Sequence, residues 1–461
     1  MYDSIFAERM KKPTVVLANN DFYNDAQSAA SGKGIPIRTI PESVPPECTV
    51  MEQIRSGVIS VMDEIVAALT TPLSRNERSP KPGIIEKQER IILRGDLKEI
   101  NRSFYKKGWT DGFPIIPPTE EEVAEMIAGT DLPPDHLVAK IIPRMGKATV
   151  EKIAVNAVMA GALPTYMPVL IACIEALLEP RIMFGTTEVS TASWIPFWII
   201  NGPIRHQLHI NHGAGVLSPG DMANAVIGRA MGLIIKNIGG ARKGIEDMGI
   251  YGNSGKYTMV SGENEEESPW DPLHMEHGFN REDSCITLSF PTGVSQASTF
   301  GSDSDSIIRS IIAHAAGTQL TIMMNPQHAR ALAEGGWTKR EIGEYIHEYA
   351  RKPAINTQEY YGQWMPVRRR QPLNPDYPVA TYRSPDMIRV LVAGGAGALF
   401  TKLITGGTGW VTRKIQLPAN WDKLVAKYHG IVPDYLVQKK SNPAELSKVL
   451  PVISQNREKK G

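Results

Sequence analysis

A chain of 461 residues that is 42% hydrophobic and 21% charged has a globular composition and is long enough for two to three domains. A formal charge of +1 gives no overall field to draw in nucleic acid or an anionic membrane. No apolar run reaches the roughly 20 residues of a membrane span and no apolar signal core opens the chain, so a soluble, cytoplasmic protein is expected.

Periodicity predicts a helix at Asp3–Lys11, a buried strand at Pro13–Asn19, a helix at Asp25–Ser31 and a strand at Ile35–Ile40. This is the rhythm of a parallel, Rossmann-like α/β layer. Such a layer normally opens with a strand whose following loop sits at the ligand-binding end of the sheet. Here the helix comes first, and the missing strand and loop are expected upstream or on another chain. A helix at Met51–Leu69 completes an incomplete α/β domain placed at residues 1–75. The Pro- and Ser-rich stretch Pro72–Pro82 opens a linker-and-helix region, 76–107, whose helix is Glu86–Lys106.

The main α/β domain is placed at 108–330. Its first feature is the turn-rich loop Gly108–Thr119, ending in a capping box of Thr119 and Glu122 that starts a helix to Ala128. Thr149–Leu163 is the clearest helix, with Val150, Ile153, Ala154, Ala157, Val158 and Gly161 on one face. Tyr166–Leu178 reads as a buried helix, Ala192–Ile200 as a strand and Pro219–Lys236 as a helix, while 239–285 reads mostly as loop. Ser284–Phe290 is a strand; Ser304–Gly317 and Gln327–Glu334 are helical. The last segment, 331–461, has a capping box at Thr338 and Glu341 starting a helix to Tyr349. A strand follows at Met387–Ala393, then the turn Gly394–Gly397, and a disordered tail at Ser454–Gly461. The fold class is therefore α/β: a partial parallel-sheet N-terminal domain, then a larger mixed α/β region.

Several segments suit chemistry and also have structural readings. Arg144–Thr149 opens a helix, so Lys147 and Thr149 fit either a capped start or an anion site; without the distal Gly it is no phosphate-binding Walker loop. Arg229 lies in register with the apolar stripe Met222, Ala225, Val226 and Leu233, so it needs a carboxylate partner or an anionic ligand. His206, His209, His212, His274 and His277 recur at three-residue steps, which fits a metal site or hydrogen-bonded loop histidines. The acidic run Glu263–Glu267, with Gly255-Lys256-Tyr257 before it and Trp270 after it, reads as a solvated loop or as a rigid acid/base platform. Gly394–Gly397 and Gly406–Gly409 can aim backbone N–H groups at an anion or simply form turns. Cys48, Cys173 and Cys285 form neither a disulfide framework nor a C-x-x-C pair.

Taken together, Gly108–Thr119, Ala148–Gly161, Asn201-Gly-Pro-Ile204, Ala223–Ala230, Gly255-Lys-Tyr257 and Glu263–Trp270 resemble the large proteins that carry or neighbour a UGSC-type (seleno)protein domain. The resemblance spans roughly residues 13–415. It implies that Pro13–Leu69 corresponds to the part just after the family's Sec/Cys-Gly-Ser-Cys motif, which this sequence lacks, and Ala162 stands where relatives often have cysteine. The implied activity is a thiol- or selenol-dependent oxidoreductase, or a reductive bond-cleaving enzyme or subunit of one, acting on a small anionic molecule. Glu265, His274 and Lys256 are its acid/base candidates; Lys147, Thr149, Asn201, Asn211, Arg229 and Trp270 are its binding candidates. The implied partner is a chain or upstream segment carrying the Sec/Cys-Gly-Ser-Cys motif, in an oligomer. The alternatives are a metal-dependent hydrolase or lyase built on the five histidines, and a non-catalytic binding subunit of a two-chain complex. The cofactor is left open: none in this chain, or a metal as the alternative.

Overall fold

The computed structural model describes residues 2–23, 26, 37–44, 50–74, 77, 91–299, 301–357 and 374–433. The expected helix at Asp25–Ser31, the start of the Ile35–Ile40 strand, Cys48, most of the Pro72–Pro82 linker and the tail at Ser454–Gly461 lie outside the described residues. At the N-terminus, α1 (Tyr2–Arg9) precedes β1 (Val15–Asn19), which pairs in parallel with β2 (Arg38–Glu42). The expected Met51–Leu69 helix is two helices, α2 (Met51–Ser60) and α3 (Met62–Thr70), broken at Val61, whose backbone leaves the helical region. The expected Glu86–Lys106 helix is non-helical at residues 91–96; α4 (Leu97–Lys106) begins where Asp96 caps it and Glu99 closes the box.

The centre is built from two four-stranded sheets. The first has the order β14-β7-β5-β6, from β5 (Phe197–Asn201), β6 (Val260–Gly262), β7 (Cys285–Ser289) and β14 (Val411–Lys414). The second is β12-β9-β13-β8, from β8 (Gly293–Ser298), β9 (Leu320–Met324), β12 (Ile388–Val392) and β13 (Phe400–Thr405). Each is mixed: β5 runs parallel to β6 and antiparallel to β7, and β12 runs parallel to β9, which is antiparallel to β13; β10 (Arg351–Pro353) and β11 (Pro378–Ala380) form a separate antiparallel pair.

Side-chain alternation stacks these sheets. Trp198 and Ile200 of β5, with Ile286 and Leu288, join a large core with the helices α6 (Val150–Ala160), α7 (Met167–Leu177) and α8 (Met222–Ile234). The intervening Phe197 and Ile199 meet Met323, Leu391 and Ile404 of the second sheet. On that sheet's other face Ile322, Val390, Val392 and Leu403 pack under α9 (Ser304–Ala313), α10 (Pro326–Glu334) and α11 (Lys339–Tyr349). The layers therefore run helices, sheet, sheet, helices. Helix α7 is apolar nearly all round because it is buried nearly all round. Among the described residues no helix is long and apolar enough to cross a membrane.

One expected site feature changes character. Gly146–Thr149 is not the start of a helix: it is β4, paired antiparallel with β3 (Leu137–Ile141) in a hairpin. Lys147 sits exposed on that strand, and Thr149 accepts the Lys152 N–H as the cap of α6. The helix start is thus closed by its own cap. The region 239–285, expected to be mostly loop, contains β6 and a helical turn at Leu273–Glu276.

Candidate functional site

Strands β5, β6 and β12 end at one place. The chain leaves β5 through Gly202 at φ 83°, where an added Cβ would lie 2.2 Å from the Asp283 carbonyl, so glycine is required. A helical turn, Ile204–Gln207, follows. The chain leaves β6 into Glu263–Glu267. Glu263 N–H donates to the Ile200 carbonyl (3.1 Å), Asn264 N–H to the Val392 carbonyl (2.7 Å) and Gly394 N–H to the His212 carbonyl (2.9 Å). The last two of these bonds tie the end of one sheet to the end of the other. The acidic run is therefore solvated only in part: Glu263 and Asn264 are buried, while Glu266 and Glu267 are exposed.

Its carboxylates are held by donors from the β5 end. Glu263 Oε2 accepts from Asn201 Nδ2 and from Leu273 N–H, both at 2.7 Å. Glu265 Oε1 accepts from Asn201 Nδ2 (3.0 Å) and Gly202 N–H (2.7 Å). Arg205, 2% exposed at its side chain, forks onto Glu266 at 2.9 and 3.1 Å and reaches Glu265 at 3.1 Å. His206 Nε2 lies 2.8 Å from Glu266, and the His212 ring stands edge-on to His206 with centroids 5.5 Å apart. Burial would raise the Glu266 carboxyl, but the bonds from Arg205 and His206 outweigh it and hold it down at about 2. Burial, with the nearby Arg205 charge, pushes His212 down. Two buried atoms, Asn201 Oδ1 and His274 Nδ1, have no hydrogen-bond partner.

Beyond the acidic run, Lys339 at the start of α11 donates to Glu276 and to the Asp271 carbonyl, both at 2.7 Å. Burial works against its charge, yet Glu263 and Glu276 raise it. A cavity of about 840 Å³ opens here, walled by Ser268–Asp271, the first turns of α11, and Pro385–Val390.

The structure gathers some of the sequence-selected residues and separates others. Asn201, Glu265, His206 and His212 meet at the strand ends. His274 sits beside Leu273, its Nε2 on the Asn280 carbonyl (3.0 Å), and Trp270 lines the cavity while donating to the Trp337 carbonyl (2.9 Å). Asn211 braces the approach through Asp221 (2.7 Å). Elsewhere, Arg229 finds its carboxylate in Asp111 of the Gly108–Thr119 loop, at 2.7 and 3.0 Å. Lys256 pairs with Asp247 at 2.5 Å, near Glu188, whose carboxyl burial raises to about 8 despite the pull of Lys256. His209 bonds the His429 carbonyl (2.7 Å), and His277 bonds Thr412 Oγ1. Among the described residues no group of three or more His, Cys, Asp or Glu is placed to hold a metal ion.

Glu263 and Glu266 belong to the acidic run that the sequence marks, whereas Arg205, Lys339 and the cavity-wall Arg389 are not among its candidates. The one available signal was Arg205's position between His206 and the turn at Gly202-Pro203. Cys173 and Cys285 are buried; burial pushes the first thiol well up and the second to about 12, so neither is a thiolate near neutral pH. Comparisons with family models, with curated proteins and with solved structures give no match for this chain.

Proposed function

We propose that this chain supplies the binding and acid/base groups of a thiol- or selenol-dependent oxidoreductase, or reductive bond-cleaving enzyme, acting on a small anionic molecule. The nucleophile comes from a Sec/Cys-Gly-Ser-Cys segment upstream or on a partner chain. The observation that carries this reading is the meeting of three strand ends in the Asn201–Arg205–Glu265–Glu266 network beside a roomy cavity. Sheets of α/β proteins place ligands outside the carboxyl ends of their strands. Buried and un-ionised, Cys173 and Cys285 are unsuited to be that nucleophile.

In the bond-cleaving form, a substrate R–X and two thiols give R–H, H–X and a disulfide; two electrons pass from sulfur to substrate. The departing X and the new C–H bond each need a proton. We assign the supply of one to His206, which is more than half exposed and bonded to Glu266. The test is thiol or selenol reactivity. The complete gene product, purified without oxygen together with the motif-bearing segment, is expected to react with iodoacetamide faster than free cysteine at neutral pH. A rate no higher than that of free cysteine overturns the proposal.

A further inference from the structure

The cavity beside the strand ends has two charges left over. Its walls carry the cations Arg281, Lys339, Arg340 and Arg389, and the acids Asp271, Glu276, Glu344 and Asp386. Arg281 pairs with Asp271 (2.6 Å), Lys339 with Glu276 (2.7 Å) and Arg340 with Glu344 (2.7 Å). Arg389 and Asp386 remain, and among the described residues neither has an ion-pair partner.

Arg389 is built into the wall. Its guanidinium lies over the Trp410 ring at 5.2 Å, and Trp410 is fixed by its own Nε1–H, which donates to Thr321 Oγ1 at 3.3 Å. The Arg389 Nε is buried without a partner. A partly buried guanidinium with no carboxylate costs free energy that a bound anion recovers. Its flat fork matches a carboxylate in two-point contact.

Asp386 supplies the opposite charge three residues earlier, exposed in the turn Pro385–Met387. It disfavours a phosphate or other dianion and suits an ammonium. The edge of β12 adds acceptors. Among the described residues β12 pairs with β9 alone, and on its other side the Val392 carbonyl accepts from Asn264 N–H. By the two-residue alternation of a strand, the Val390 carbonyl points to the same side, along the cavity wall. The volume, about 840 Å³, is within the range of small-molecule sites.

We propose that this cavity binds an α-amino acid or a similar small zwitterion, its carboxylate on Arg389 and its ammonium on Asp386. This rests on the cavity being the substrate site of the function proposed above, and names the class of that substrate. The experiment measures binding alone, so failure of the thiol chemistry and failure of this inference are separable. Calorimetry on the full chain uses the standard amino acids, with propionate and propylamine as probes carrying one charge each. At least one amino acid is expected to bind at least tenfold more tightly than either probe. Arg389→Gln is expected to weaken that binding about tenfold or more, the loss of a charge-assisted hydrogen-bonded pair. Asp386→Asn, at an exposed position that leaves folding intact, is expected to remove the preference for the amino acid over propionate. If no amino acid binds, if propionate binds as well as every amino acid, or if Asp386→Asn leaves the preference unchanged, the inference is wrong.

Discussion

The charged residues that shape the site are those whose partners lie far away in the chain. Arg205 donates to the Glu263 carbonyl 58 residues on and to the Glu266 carboxylate 61 residues on, so its partners cannot be read from the sequence around it. Arg229 was half legible: its place on an apolar stripe demanded a counter-charge, but Asp111, 118 residues earlier, could be found only in three dimensions. His277 illustrates the same limit and gives a measurable consequence. Burial and three neighbouring cations hold it at about 4, against an ordinary value of 6.5. Between those values the unfolded chain binds the proton and the folded chain does not, so stability falls as pH drops from about 6.5 towards 4. This one group should remove about 2 kcal/mol between neutral pH and pH 5. His277→Gln, which can keep a bond to Thr412, should abolish that part of the acid sensitivity in urea denaturation at pH 7 and pH 5. A loss the same in both proteins would show that His277 is not the cause.

Elements with end signals are legible in the sequence, and so are the buried strands β5, β7 and β12, but β8 and β9 are not. Helices α6 and α11 stand where Thr149 and Thr338 put them, each cap accepting an N–H three residues on. Strand β9, Leu-Thr-Ile-Met-Met, is buried on both faces, so its sequence shows no alternation, and β8, Gly-Val-Ser-Gln-Ala-Ser, is mostly polar. Strand β4 resembles a helix start in sequence because Gly146 and Lys147 precede the Thr149 cap; Gly146 instead lets the strand lie against the Ile238 carbonyl, 1.7 Å from where a Cβ would be. The α11 capping box also matters to the site, because Lys339 is the first residue after the cap. Thr338→Ala removes the bond to Glu341 N–H and should cost about 1 kcal/mol in chemical denaturation. A change below a few tenths of a kcal/mol would mean that packing alone fixes the start of α11.

At the scale of the whole molecule, the site depends on two sheets being held in register. Their contact is a small core including Phe197, Ile199, Met323, Leu391 and Ile404, distinct from the larger cores beneath the helices. Just beyond it, two backbone bonds cross from one sheet's end to the other: Asn264 N–H to Val392, and Gly394 N–H to His212. Leu391 is adjacent to Val392 in β12 and two residues beyond Arg389, on the same face by strand alternation. Truncating it should therefore loosen the junction as well as the core. Leu391→Ala and Leu170→Ala, the latter in the core under the first sheet, each remove a fully buried side chain and should each cost about 2–5 kcal/mol. Their local effects should differ. In Leu391→Ala the amides of Asn264 and Gly394 should exchange hydrogen faster relative to global unfolding, because the junction opens on its own. In Leu170→Ala their exchange should speed up only as much as the global loss of stability requires. Equal behaviour in the two variants would mean that the strand ends are aligned by their own hydrogen bonds and the sheet-to-sheet packing contributes only stability.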